Sequence, residues 1–509
     1  MPKQLFVVQD FRGGWNADAA DDALLDNELR VADNVDLSER GGLTKRKGTR
    51  RLNQEDYTGD VVRLFEWKKP DGTTQLLAIT REVNGPTLGR IRDDQDWRFE
   101  GIALLESEDA AVLGFKDKLL FLDGSNLYEY DGSNWGPIVP EDHPENDMTA
   151  VRRCNLLVWH PKSQRFFAAG DPRDVQAIYF SEPGAPNFWK GTSVLHPTSG
   201  EGAIQAISLF GDAVLVWYED SLWLWRGIDP DVDASWERLP IGLGKIAKRT
   251  ITLTPDSLAV LARGGLYALA APAVGYTTVA EPGRSMVANL AQNKVQSVIK
   301  SMRLDIATAL YDPTEERLMV AYSDNPALGY NDQILVFDWG LGGFTRYTGI
   351  RVDDWCLRRG TGQIVVASGR KLLQFGVGYD DDGQPYEARI ATKFFNCGYP
   401  FYKKRFFRLY MAFRQSTEVE AFQLSSSIVV DYTTEFKVEK AIPYDGFRWG
   451  DPWGKPWGSR DYMATRSKIS ASGHRVQFRF WNDQPGVPMT FYGAAIEFRP
   501  IRAKGERLA

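Results

Sequence analysis

Residues 118–138 read KLLFLDGSNLYEYDGSNWGPI. An apolar run from Leu119 to Leu122 meets Asp-Gly-Ser-Asn, a second run from Leu127 to Tyr130 meets the same four residues, and Trp135 opens a third. Short apolar and aromatic runs punctuated by Gly, Asp and Asn are the pattern of antiparallel strands joined by tight turns. The unit recurs at 213–241, 257–280 and 317–349, more loosely at 61–99 and 151–191, and in part at 355–376. An aromatic closes each full copy: Trp97, Trp135, Trp189, Trp236, Tyr276 and Phe344. Four of the five separations between them lie near the roughly 40–50 residues of a four-stranded propeller blade. The longest gap is where a helix at 284–304 would be inserted.

The reading is therefore an all-β chain, a β-propeller of about seven blades with few helices. The seventh copy has too few strands to stand alone, so Leu5 to Val8 are expected to complete it and close the ring, because an open propeller exposes an unpaired edge. Helical spacing predicts two helices. One spans Asp21 to Asn34, with Leu24, Leu25, Leu29 and Ala32 on one side; the other spans Arg284 to Leu304, with Val287, Leu290, Val298, Ile299 and Met302. Beyond the acidic turn Asp380-Asp381-Asp382-Gly383 the runs lengthen and alternate strictly. Phe407, Leu409, Met411 and Phe413 oppose Arg408, Tyr410 and Arg414, while Val476, Phe478 and Phe480 oppose Gln477 and Arg479. That alternation predicts a C-terminal β-sandwich over 385–502. The expected divisions are an arm at 1–53, a propeller at 54–382 and the sandwich domain at 383–509.

Of the 509 residues, 43% are hydrophobic and 25% charged, which supplies a full core and excludes global disorder or a collagenous chain. A net charge of −6 is too balanced for a basic nucleic-acid binder. Cys154, Cys356 and Cys397 are odd in number and far apart, which argues against a disulfide framework and a cysteine zinc site. Four apolar residues before Asp10 are too few for a signal peptide, and the uncharged stretch from Gly264 to Ala280 is too short and too rich in Gly and Pro to span a membrane.

Motifs of chemistry are missing. There is no GxxxxGK[ST], HExxH, GxSxG or strand-linked GxGxxG, and His143, His160, His196 and His474 are isolated. Asp229, Asp231 and Asp233 alternate like a calcium loop, but Ala234 and Pro240 stand where Gly and Glu are needed. The stretch Tyr130 to Trp135 lacks the Asp and Ser/Thr of a sialidase box, and no WD40 or regular kelch signature appears. The expectation is a non-enzyme with no cofactor and no metal. The segment FRWGDPWGKPWGSRDY, 447–462, carries Trp449, Trp453 and Trp457 among Gly and Pro, and reads either as a self-packed aromatic loop or as an inter-subunit clasp.

The string FRGGWNADAADDALLDNELRVADNVDLSERGGLTKRKGTRRLN, residues 11–53, resembles the opening of β-propeller proteins of tailed-bacteriophage tails, the nozzle and packaged-DNA-stabilising components. The matches are Gly13, Gly14, Trp15, Asn16, Asn27, Glu28, Leu29, Asn34, Val35, Gly41, Gly42, Leu43, Arg46 and Gly48. The C-terminal SGHRVQFRFWNDQPGVPMTFYGAAIEFRP is similar to the last hairpin of such proteins. The resemblance implies a structural virion protein made in the host cytoplasm, a homo-oligomeric ring (a hexamer) of the tail channel. It would contact other tail or adaptor proteins while genomic DNA passes without sequence-specific binding. Interface candidates are Trp449, Trp453, Trp457, Leu24, Leu25 and Leu29, with the helix at 284–304. Two other readings compete: a host-receptor-binding tail protein acting through the sandwich, and a propeller glycan hydrolase or lyase with a carboxylate cluster at the axial mouth.

Overall fold

The computed structural model describes residues 2–94, 96–198, 201–233, 235–239, 242–270, 287–414, 421–443 and 463–501. Seven consecutive four-stranded units follow one another along the chain. The first is Asp60–Lys68, Thr74–Glu82, Gly85–Arg92 and Arg98–Leu104, paired in sequence order as an antiparallel meander. The others occupy 111–137, 156–195, 206–239, 252–289, 308–352 and, for the seventh, 354–375 with one strand from elsewhere.

The blade ruler has a structural cause. Trp135 and Phe344 are the first residues of outermost strands, while Trp97 and Trp236 immediately precede theirs and Trp189 lies just before its own. Tyr276 lies outside the described residues. Each blade's second strand is apolar on both faces because it lies between two neighbours. Within Lys118–Leu122, Leu119 and Phe121 pack with Leu77 and Leu88 of the first blade, whereas Leu120 and Leu122 pack with Phe166 and Ala168 of the third. The same split recurs around the molecule: Phe167 with Val214, Leu215 with Leu258, Leu261 with Leu318, and Met319 with Val366. Val365 and Ala367 of the seventh blade then pack on Leu76 and Ala78 of the first, which closes the ring.

The closing strand is not the expected one. Thr49–Arg51 pairs antiparallel with Lys371–Phe375 as the outermost strand of the seventh blade. Gln4–Val8 instead pairs with Thr490–Pro500 in the sandwich. One sandwich sheet runs Met463–Gly473, Lys404–Arg414, Thr490–Pro500, Leu43–Lys45 and Val35–Leu37, with Gln4–Val8 added to Thr490–Pro500. The other contains Ala388–Thr392, Val476–Asn482, Ala421–Val430 and Thr434–Pro443. Through Glu28–Asp33 and Gly14–Trp15 it continues into the sixth blade's outer strand Phe344–Val352, making a single ten-stranded sheet.

Both expected helices are corrected. Residues 28–33 of the first form a strand, and its Leu29 and Ala32 face the core through a bulge between Leu29 and Val31. Of the second, residues 284–286 lie outside the described residues, Val287–Asn289 is the fifth blade's outer strand, and only Gln296–Ser301 is helical. The strict alternation of the 404–414 strand also breaks. A bulge between Phe406 and Arg408 turns Phe406 inward and leaves Phe407 outside, under Lys3.

Leu52 N–H donates to Leu372 O, and the same register places Arg50 N–H on Gln374. Arg50 has an exposed side chain, so Arg50→Pro tests the backbone of the closing strand alone. The expected loss is about 3 kcal/mol of unfolding free energy in denaturant titration. A loss below about 0.5 kcal/mol, the range of a neutral surface change, would place the closure elsewhere.

Candidate functional site

Of the arm residues that carry the tail-propeller resemblance, Asn34, Arg46 and Gly48 meet where the sixth and seventh blades join the sandwich. At the centre is Arg46, which has no exposed surface. Its guanidinium donates Nη1 to Asp381 Oδ1 at 3.0 Å, Nη2 to Asp381 Oδ2 at 2.5 Å and Nε to Asn34 Oδ1 at 2.8 Å. Remaining donor capacity goes to the carbonyls of Lys47 and Thr348. The cation lies 3.8 Å from the centroid of the Tyr386 ring, whose hydroxyl donates back to Arg46 O. A fully buried guanidinium is tolerable only with this degree of satisfaction.

Asn34 is equally committed. It adopts the left-handed region at φ 56°, which asparagine tolerates, so its amide can face three partners. Oδ1 also accepts from Thr348 N at 2.9 Å, while Nδ2 donates to Thr348 Oγ1 at 3.0 Å and Glu387 O at 2.7 Å. Arm, sixth blade and sandwich entry are thereby held by one side chain. Asn16 repeats the device: its amide donates to Glu28 Oε2 at 3.1 Å and Asn293 O at 3.2 Å, and its oxygen accepts from the backbone of Asp18 and Ala19.

The glycines serve close approach. Gly14 sits at φ 68°, and a Cβ there would lie 2.6 Å from Phe344 O. Gly48 packs directly on the Asp380 backbone, where a Cβ would overlap its carbonyl. Gly13 N–H donates to Asn27 O, and Gly41 and Gly42 form the turn that returns to Ser38. Sequence reasoning missed Asp381, since an Asp-Asp-Asp-Gly run reads as a solvated turn; in the structure it supplies the counter-ion of Arg46.

Next to Arg46, Lys45 is 2% exposed and donates Nζ to Asn482 Oδ1 at 3.0 Å and Gln484 O at 2.8 Å. Burial first, and the neighbouring Arg46 charge second, bring its pKa down to about 8. Asp36, 8% exposed, accepts from Arg317 Nη1 at 2.9 Å and from the Tyr347 hydroxyl. These groups line a cavity of about 290 Å³ between the arm and the last two blades.

The propeller axis forms the second concentration of charge. Arg249, ahead of the fifth blade, donates to Val62 O of the first at 2.7 Å and lies 3.2 Å from Asp354 of the seventh. Lys248 reaches Asp109, ahead of the second blade, at 3.0 Å. Asp354 also accepts from Leu64 N and the Thr308 hydroxyl, and Arg351 bridges Asp353 and Asp60. Burial raises the Asp353 pKa; that of Asp109 is raised by burial but held below the ordinary range mainly by Lys248. Asp354, Asp109, Asp353 and Asp60 thus each lie against a lysine or an arginine.

The other sequence candidates are dispersed. Leu24 is buried and Leu29 is core, whereas Leu25 is 64% exposed. Val295, Ile299 and Met302 of the 284–304 segment are buried in the protein's own core, not offered to a partner. Trp449, Trp453 and Trp457 lie outside the described residues. Asp229 and Asp231 both accept from Arg165, at 3.0 and 3.1 Å, and Asp233 holds Ser235. His160 is buried between Ser163 Oγ and Asp212 O, a junction of third and fourth blades. All three cysteines are buried free thiols. Among the described residues no group of three His, Cys, Asp or Glu is placed to hold a metal, and no helix is long and apolar enough to cross a membrane.

No protein-family model matches the chain, and no curated protein matches it by sequence. Many solved structures are similar, three of them as follows. The extracellular domain of BT4673 from B. thetaiotaomicron aligns at 10% identity and TM-score 0.44 over 88% of this chain, which spans 60% of that domain's length. An exo-β-1,3-galactanase from Phanerochaete chrysosporium aligns at 11% identity and TM-score 0.30, covering 87% of this chain and 100% of the enzyme. The N-terminal domain of Nup159 aligns at 10% identity and TM-score 0.35, covering 68% and 99%. At these values none carries an argument about what the chain does.

Two outcomes test the junction. Arg46→Met should cost about 2–4 kcal/mol of stability by leaving the half-buried Asp381 and the Asn34 amide oxygen without their guanidinium donor, and Arg46→Lys should recover little because an ammonium cannot supply the fork. For Lys45, the unfolded chain holds its proton up to about pH 10.5 while the folded chain releases it near 8. Its charge therefore destabilises the fold fully below pH 8, and this cost falls as pH rises toward 10.5. Measured against Lys45→Met, wild-type stability should improve by about 2–3 kcal/mol between pH 7 and 10; parallel pH profiles would refute the buried charge.

Proposed function

We propose that this chain is a structural virion protein, a ring-forming component of a bacteriophage tail channel, of the nozzle or head-to-tail kind, through which the genome is retained and ejected. The observation that supports it most is where the resemblance residues lie. Gly13, Gly14, Asn16, Asn34, Gly41, Gly42, Arg46 and Gly48 share no catalytic geometry; they seat an arm that ties a closed propeller to a sandwich. A tail component must pass force between its parts without hinging, and an ion-paired joint together with a ten-stranded sheet shared by propeller and sandwich suits that task. The axial salt bridges also tie several blades together, so in this reading the DNA lumen lies between subunits and not along the axis of each propeller. A net charge of −6 suits a lumen that must not grip phosphate.

Subunits repeating a heterologous contact close into a ring, and the proposed order is six, docked on adaptor and tail proteins. The test is the stoichiometry and position of the chain in assembled particles by cryo-electron microscopy. Six copies around the tail axis are expected. A single copy, or a trimeric spike standing off the axis, would remove the channel reading and leave the receptor-binding one.

A further inference from the structure

The sandwich sheet containing Lys404–Arg414 turns one face to the core, where Phe406, Leu409, Ile469, Ile496 and Phe498 are all buried. The residues between them form the outer face. Register sets Arg405 opposite Arg499, Arg408 opposite both Lys468 and Glu497, and Tyr410 opposite Arg466. Lys3 joins them from the residue before Gln4–Val8, its ammonium 4.4 Å from the centre of the Phe407 ring. Among the described residues, six cations thus share this face with the single carboxylate of Glu497, in a chain whose net charge is −6. Glu497 pairs with Lys3 at 2.5 Å and with Arg408 at 3.5 Å. Arg405, Arg466, Lys468 and Arg499 are exposed and, among the described residues, have no carboxylate partner.

Like charges opposite one another destabilise a sheet, so Arg405 against Arg499 and Arg408 against Lys468 are a cost that the fold itself does not return. An anionic partner would return it, and the apolar groups among the cations say which. Phe401 is 90% exposed in the turn that leads into Lys404–Arg414. Leu5, opposite Glu497 on the face, is 57% exposed, and Ile501, whose N–H donates to Lys403 O, is half-exposed beside that turn. Alkyl and phenyl groups projecting among cations suit a surface that is anionic outside and apolar just beneath. Nucleic acid has no such apolar layer, and a base would need an open aromatic ring to stack on. The Phe407 ring is instead capped by Lys3, with the Arg405 and Arg499 guanidiniums 5.6 and 6.0 Å from its centre.

We propose that this face docks on the surface of an anionic phospholipid bilayer. The guanidinium and ammonium groups meet headgroup phosphates, while Phe401 and Leu5 enter the boundary of the acyl chains. The binding is peripheral and inserts no strand. The inference rests on this sheet face alone and stands or falls separately from the tail-channel reading.

The probe is sedimentation of the full chain with vesicles of phosphatidylcholine carrying about 30% phosphatidylglycerol. Affinity should exceed that for pure phosphatidylcholine vesicles by about tenfold or more, and fall steeply between about 0.1 M and about 0.5 M salt. Arg405→Gln with Arg499→Gln should weaken binding about twentyfold, with a melting temperature equal to or above that of the wild type because a like-charge pair is removed. Phe401→Ser should weaken it about fivefold. Arg173→Gln, which removes an exposed cation of the third blade, should change nothing. No binding to the anionic vesicles, equal binding to the neutral ones, or full binding by the Arg405→Gln, Arg499→Gln chain would overturn the proposal. Capture of a short DNA duplex in preference to the vesicles, lost in that double variant, would assign the face to nucleic acid, and self-association lost in it would assign the face to a second copy; either overturns the bilayer.

Discussion

Burying a guanidinium costs several kcal/mol of desolvation, repaid only when its donors meet well-placed acceptors. Arg46 meets this constraint through Asp381, Asn34 and two carbonyls, and much of the architecture follows from bringing those groups together. Asp381 follows the seventh blade and bridges to Thr49 of its closing strand, Asn34 belongs to the arm, and Tyr386 begins the path into the sandwich. Three residues after Arg46 the chain enters the strand that closes the propeller. The ion pair thus fixes the closing strand against the last blade and the sandwich against both. Such a pair specifies one arrangement of three parts more than it adds net stability.

The ring itself relies on another economy. Each blade's second strand divides its side chains between two neighbours, so every blade is core to both sides and the seven interfaces reinforce one another. Arg249 and Lys248 join non-adjacent blades across the axis. Rigidity is accordingly distributed through the whole propeller.

Particular elements show why some features were legible and others not. The apolar run Leu5 to Val8 advertised a strand, and it is one; its partner was misassigned because backbone pairing carries no side-chain label across about 490 residues. The strand Thr49–Arg51 closes the ring yet has two arginines and no apolar residue, so its sequence is silent. The helix expected at 21–34 failed because Leu29 and Ala32, spaced for a helix, reach the core through a strand bulge. A bulge likewise exchanged Phe407 for Phe406.

The all-β class, the blade repeat and the change to long alternating strands are legible in the residue order, because burial on one or both faces of a strand writes itself into local periodicity. Residue order also marked the arm residues as a set. Only long-range pairing makes Thr49–Arg51 close the ring, carries the sixth blade into the sandwich and brings Asp381 to Arg46. Those outcomes depend on backbone edges and buried charges meeting across hundreds of residues, and neither leaves a local pattern in the chain.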